Sequence, residues 1–136
     1  MVRAVGFEAE SQGAAAVTCV DICCDTLLKN KDILRSNAAI IRMNVRLFLK
    51  QSLGNRNAVD IIFMDPVWAD HTLLDECLAM ILSSESPLVD GGVCLIEHDQ
   101  SWQVPKAFTP YIRKISRYGN TFLTVFLNQH RLANDE

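Results

Sequence analysis

No apolar run in this 136-residue chain comes near the ~20 residues that a membrane-spanning helix needs. The start, Met1-Val2-Arg3-Ala4-Val5-Gly6, meets Glu8 and Glu10 too early for a secretory signal, so the cytoplasm is the expected compartment. Zinc-type cysteine spacing is missing as well. Of the five cysteines, Cys23 and Cys24 are adjacent, which suits neither a metal site nor a routine disulfide. Cys19, Cys77 and Cys94 lie in apolar or helical stretches, where reduced thiols pack as small hydrophobes. His71, His98 and His130 share no helical ligand spacing, and no metal is expected. Acid is absent from Gln100 to Asn134, where Lys106, Arg113, Lys114, Arg117 and Arg131 fall among Trp102, Phe108, Tyr111 and Tyr118. The whole chain, at a net charge of −3, has no general attraction for nucleic acid. That one segment suits either the solvated face of a hairpin or contact with a phosphate backbone.

What is present argues for a globular α/β domain. Hydrophobic residues make up 49% of the chain against 21% charged, which excludes a disordered segment. A single domain of this length buries roughly two thirds of the surface its unfolded chain exposes.

The most informative stretch is Val59-Asp60-Ile61-Ile62-Phe63-Met64-Asp65-Pro66-Val67-Trp68. A short apolar run rich in β-branched and aromatic residues predicts a strand buried on both faces, as in parallel sheets flanked by helices. Pro66 lacks an N–H and ends the ladder. Asp65 is thereby delivered to the carboxyl end of a central strand, where open α/β sheets hold their ligands. A carboxylate beside the flat ring of Trp68 can hold a planar, amine-bearing ring such as a nucleobase. The same residues also suit a plain Asp-Pro turn.

Taken in order, Gly6 to Gly13 reads as a short helix closed by glycine. Ala16 to Ile22 reads as a buried strand carrying Asp21 near its end. Asp25 opens a helix with Leu27, Leu28, Ile33 and Leu34 on one face and Asn37 as its terminator. Ala39 to Met43 is a strand and Val45 to Leu53 a helix, followed by a Gly54-Asn55-Arg56-Asn57 loop. Asp70 caps a helix from His71 to about Ser83 with Leu74, Leu78 and Ile81 inward. Ser84 to Gly92 reads as loop, with Gly91-Gly92 turning into a strand over Val93 to Glu97. Pro105 and Pro110 bracket a segment of little internal order. Tyr111 to Arg117 and Thr121 to Leu127 then flank a hairpin turn at Tyr118-Gly119-Asn120. Alternating strands and helices with a final antiparallel pair make a mixed, mostly parallel sheet.

With these elements placed, the chain resembles the bacterial RsmD-type methyltransferases. Gly6-Phe7-Glu8-Ala9 with Gln12-Gly13-Ala14 is similar to the tail of that family's first motif, and Asp21 falls where the family has an acid after its second strand. Asn44 with Phe48-Leu49 resembles the third motif, and Asp65-Pro66-Val67-Trp68 resembles D-P-P-[YF]. Gly91-Gly92 before a strand ending at Glu97, and Arg117-Tyr118-Gly119-Asn120-Thr121, also match. Val67 stands where the family has a second proline, and Glu10 replaces an apolar helix residue. In the family a first central strand and a glycine-rich turn precede the position of Gly6, where this chain has five residues, with Arg3 near an expected glycine. The resemblance therefore implies a Rossmann-like S-adenosylmethionine (SAM)-dependent methyltransferase fold without its first central strand and without the glycine-rich cofactor loop.

The resemblance further implies methyl transfer from SAM to the exocyclic N2 of a guanine in small-subunit ribosomal RNA, by a monomer that needs no metal or membrane. Gly6, Asp21 and Asn44 are its implied cofactor residues, with Asp21 on the ribose hydroxyls and Asn44 on the adenine edge. Asp65 and the Pro66 carbonyl are the implied acceptors of the guanine amine, and Trp68 the implied stacking ring. Asp21 as a helix-capping acid, Asn44 as a turn former and Trp68 as a packed rim residue remain alternatives. N6-adenine methylation uses a similar D-P-P-[YF] turn. Two further readings stand beside the enzyme: a non-catalytic methyltransferase remnant, and a phosphorelay receiver with Asp65 as phosphate acceptor. The receiver needs a second acid beside Asp21 for Mg²⁺, and Ile22-Cys23 supply none.

Overall fold

The computed structural model of the protein describes residues 5–54, 58–65 and 70–129. Two compact units divide it, Met1–Phe48 and Leu49–Glu136. Among the described residues no helix is long and apolar enough to cross a membrane.

In the first unit, helix α1 (Val5–Ser11) ends where Gly13, at φ +104°, donates its N–H to the carbonyl of Glu10. Glycine takes this left-handed backbone without steric cost. Strand β1 (Thr18–Asp21) pairs in parallel with β2 (Ala39–Arg42), from Thr18 opposite Ala39 to Asp21 opposite Arg42. The strand expected over Ala16 to Ile22 is thus shorter, and its ends are exposed. Helix α2 (Asp25–Leu34) joins them, and it stops at Arg35 in the left-handed conformation, before Asn37. None of its residues is buried, and Ile33 is 76% exposed, so its apolar face is not the core face the spacing predicts. Helix α3 (Val45–Ser52) runs on into the second unit, where Leu49 is buried.

The second unit is a four-stranded sheet in the order β3-β4-β6-β5, with β3 (Val59–Met64), β4 (Leu88–His98), β5 (Ile112–Tyr118) and β6 (Thr121–Leu127). β3 and β4 are parallel and joined through helix α4 (His71–Ile81), while β4–β6 and β6–β5 are antiparallel. The side chain of Asp70 accepts from the N–H of Leu73 at 3.0 Å and caps α4 as expected. Leu74, Cys77, Leu78 and Ile81, one helical stripe, are buried together with Cys94, Ile96 and Phe126 on alternate positions of β4 and β6. Gly119, at φ +63°, makes the two-residue turn of the β5–β6 hairpin.

Three expectations change here. β3 has the expected bounds but pairs only with β4 among the described strands, so it is an edge strand whose burial is confined to Met64, and Ile61 is 62% exposed. The described strands thus fall into two sheets, β1-β2 in the first unit and β3-β4-β6-β5 in the second. The segment before Val93 is not all loop. β4 begins at Leu88, and Gly91, at φ +84°, donates to the carbonyl of Asn128 at 2.7 Å while Asn128 donates back to Gly92 at 2.9 Å. Finally, the segment between the prolines is a 3-10 helix, Lys106–Tyr111, in which Thr109 Oγ1 donates to the carbonyl of Lys106.

Candidate functional site

Parallel pairing of β1 and β2 brings the residues that end them to one side of the first unit. Asp21 is exposed at the end of β1, and its Oδ1 accepts from the Cys23 N–H at 3.1 Å, closing a tight turn into α2. Its main-chain oxygen accepts from Met43 N at 3.1 Å and from Cys24 Sγ at 3.1 Å, which fixes the loop after β2 against the end of β1. Asn44, two residues beyond β2, caps α3: its Oδ1 accepts from Arg46 N at 2.8 Å. The turn-forming roles weighed from sequence are therefore present for both residues. They leave Asp21 Oδ2 and Asn44 Nδ2 with no partner among the described residues. Each oxygen of a carboxylate offers two acceptor sites and an amide nitrogen two donors, so both side chains keep hydrogen-bonding capacity beyond the turn and the cap they close. Gly6 sits inside α1 where a β-carbon would stand 2.6 Å from Cys19 Sγ, so its glycine character lets the helix approach β1 closely.

In the second unit the parallel β3–β4 ladder ends at Met64 opposite Ile96, and the next residues on the two strands are Asp65, which is exposed, and Glu97. Pro66 and Trp68 lie outside the described residues. Just past β4 the chain folds over the carboxylate of Asp99, whose Oδ1 accepts from Ser101 Oγ at 2.6 Å, Ser101 N at 3.0 Å and Trp102 N at 3.3 Å. His71 Nε2, at the start of α4, is 3.3 Å from Ser101 Oγ and 3.7 Å from Asp99. The Ser101 hydroxyl, with help from the Ser101 and Trp102 amides and from His71, holds the Asp99 carboxyl below its ordinary range. His98 donates from Nδ1 to the Asp99 carbonyl at 2.7 Å, so a neutral ring accepts at Nε2 from the buried Thr124 hydroxyl, also at 2.7 Å.

Sequence reasoning missed this cluster at the carboxyl end of β4. The Asp99-Gln100-Ser101 turn signal was available, but not its pairing with a histidine 30 residues earlier. Trp102 is corrected outright. It is 4% exposed, its indole N–H donates to Asp75 at 2.9 Å, and its ring lies 4.8 Å from His98 and 6.5 Å from Phe126, so it cannot meet a phosphate backbone.

Each strand pair ends in an exposed carboxylate, Asp21 in the first unit and Asp65 in the second, at the carboxyl ends where open α/β sheets hold their ligands. The family described as Conserved hypothetical protein 95 matches residues 3–127. The chain belongs to that family, the RsmD-type methyltransferases. Three solved members of its fold are similar. A candidate methylase from Haemophilus influenzae is 21% identical with a TM-score of 0.77, over 93% of this chain and 80% of that one. The candidate methyltransferase yhhF from Escherichia coli is 23% identical with a TM-score of 0.72, over 93% and 70%. A hypothetical protein from Thermus thermophilus is 25% identical with a TM-score of 0.71, over 91% and 68%. No curated protein is detectably similar in sequence. The RsmD-type chain therefore has the Rossmann-like methyltransferase fold, and the receiver-domain reading falls away.

Proposed function

We propose that the protein transfers a methyl group from SAM to the exocyclic N2 of a guanine in small-subunit ribosomal RNA, acting as a monomer in the cytoplasm. The observation that carries this reading is the exposed carboxylate of Asp65 at the carboxyl end of β3, in a chain whose family match spans 125 of its residues, 3–127. SAM, when bound, supplies an electrophilic methyl on its sulfonium. The chain's own residues do the rest. Asp21 holds the ribose hydroxyls through its outward oxygen, Asn44 donates to the adenine edge, and Gly6 lets α1 lie close to β1.

Asp65 and the main-chain oxygen of Pro66 accept the two N–H groups of the guanine amine. An aromatic amine is a weak nucleophile because its lone pair is delocalised into the ring. Two acceptors on one nitrogen favour a pyramidal geometry with the lone pair turned outward. Transfer would form the C–N bond as the sulfonium's S–methyl bond breaks and the neutral thioether leaves; the Asp65 carboxylate would stabilise the positive charge on the nitrogen until one of its N–H protons passes to water. Trp68 stacks on the extruded base, a contact worth roughly 1–3 kcal/mol.

Calorimetric titration of the chain with SAM, followed by transfer of labelled methyl to small ribosomal subunits and nucleoside mapping, tests the proposal. Saturable SAM binding and N2-methylguanine are expected. Asp65→Asn, which keeps shape but removes charge, should lower the rate by about 10²-fold or more and leave SAM binding intact. No saturable binding would leave a non-catalytic remnant, and N6-methyladenine as the product would move the target to adenine.

A further inference from the structure

We infer that one face of the β5 edge is a docking surface for an RNA backbone, with Arg113 and Lys114 as its phosphate contacts and Tyr118 as a stacking ring. This rests on the reading that the substrate is an RNA, and it assigns recognition to a part of the chain remote in sequence from Asp65. β5 is the outer strand of the four-stranded sheet. Its pairing with β6 runs from Tyr118 opposite Thr121 to Lys114 opposite Val125, then shifts so that Ile112 stands opposite Phe126. Arg113 is the extra residue of that shift.

In a regular strand Arg113 and Lys114 would point to opposite faces, but an extra residue in one strand breaks the alternation. Both then project on the side of Val125, the side that also carries Ser116 and Tyr118. All but Ser116 of this row are exposed, and Tyr118 is 67% so. Among the described residues no carboxylate pairs with Arg113, Lys114 or the nearby Lys106. The nearest acid in the rows of this face is Glu97 on β4, two strands away or about 10 Å.

Arg117 is different. It projects on the other face, where Nε donates to the Gly119 carbonyl at 2.8 Å and the guanidinium lies 5.7 Å from the centre of the Phe122 ring. It serves the turn, and Ile115, also exposed, shares its face. The β5 row of this face therefore offers charge, a hydroxyl and a phenol, beside the half-buried Leu123 and Val125 of β6. Lysine and arginine on a sheet edge also deter strand-to-strand association, but that role does not require them on one face beside an exposed aromatic.

The test is fluorescence anisotropy of the full chain with a labelled 20-nucleotide RNA hairpin, over about 50 to 200 mM salt. Arg113→Glu with Lys114→Glu keeps the edge charged and should weaken binding at least tenfold. The milder Arg113→Gln with Lys114→Gln should lower the slope of log affinity against log salt by about 1.4–1.8, the contribution of two phosphate contacts. Arg117→Gln should leave that slope unchanged. Thermal melts confirm that each variant is folded. Unchanged affinity in both double variants, an equal slope loss in Arg117→Gln, or binding to phosphatidylglycerol vesicles in place of the RNA would each overturn the assignment. Because the binding is read without SAM, its failure is separate from failure of methyl transfer, and the double variants should bind SAM as the parent does.

Discussion

Gly6 and Cys19 are in contact through the space a side chain would fill: a β-carbon on the glycine would stand 2.6 Å from the thiol sulfur and 3.1 Å from Val17 Cγ1. Alanine favours a helix over glycine by about 1 kcal/mol, yet here that gain meets a clash in the seam between α1 and β1. Gly6→Ala is expected to destabilise the first unit by about 1–3 kcal/mol, as overpacking does. Adding Cys19→Ala should recover most of the loss. Urea unfolding of the single and double variants measures both, and a neutral single variant would refute the contact.

Leu78 is the second case, for the opposite reason. It is wholly buried in the middle of the α4 stripe, so truncation leaves a cavity. Leu78→Ala should cost about 2–5 kcal/mol. The exposed Leu28 on α2 should tolerate alanine with a far smaller change, and urea denaturation compares the two.

The Asp99 carboxyl should titrate below its ordinary 3.8 in an NMR pH series. Folding favours its charged form, so whatever stability it brings is present above about pH 4 and fades as the pH falls through the depressed value. Ser101→Ala removes the principal cause and should move the midpoint upward.

Thiol chemistry separates the five cysteines by depth. Burial, with Cys77 alongside, pushes the Cys94 thiol up to about 12, and burial followed by Cys24 and Glu10 raises Cys19 more modestly. Cys23 is exposed. An aromatic disulfide reagent at neutral pH should therefore modify Cys23 first, and Cys24, Cys77 and Cys94 only after denaturant is added. In alkali the sign is equally definite. The raised Cys94 value means that its contribution is intact below about pH 9 and is lost as the pH climbs toward 12.

Local signals carried much of this architecture. The bounds of β3 were legible because five apolar residues end at Asp65-Pro66, α4 because its apolar spacing follows a capping Asp70, and the hairpin because Gly119-Asn120 separates two strand-like runs. Asp21 and Asp65 were legible as strand-end acids for the same reason, whereas Asn44 was singled out only by the family resemblance. What stayed hidden depends on distant partners. Leu88 to Gly92 reads as loop until Asn128 holds Gly91 and Gly92. Trp102 reads as a surface ring until Asp75 takes its N–H. An apolar run such as β3 tells how oily a strand is but not how many neighbours it has, and the one-sided pairing found for β3 follows from the first central strand that the family resemblance implied to be missing.

That outer position has a bearing on handling the protein. Among the described residues β3 pairs on one side only, with Val59 and Ile61 exposed, and neither a lysine nor a proline interrupts the strand. Deuterium should enter those amides within the earliest time points while the β4 ladder stays protected. Concentrated samples should cloud by strand-to-strand templating along that edge, and dilution or a short capping peptide bound to it should prevent this.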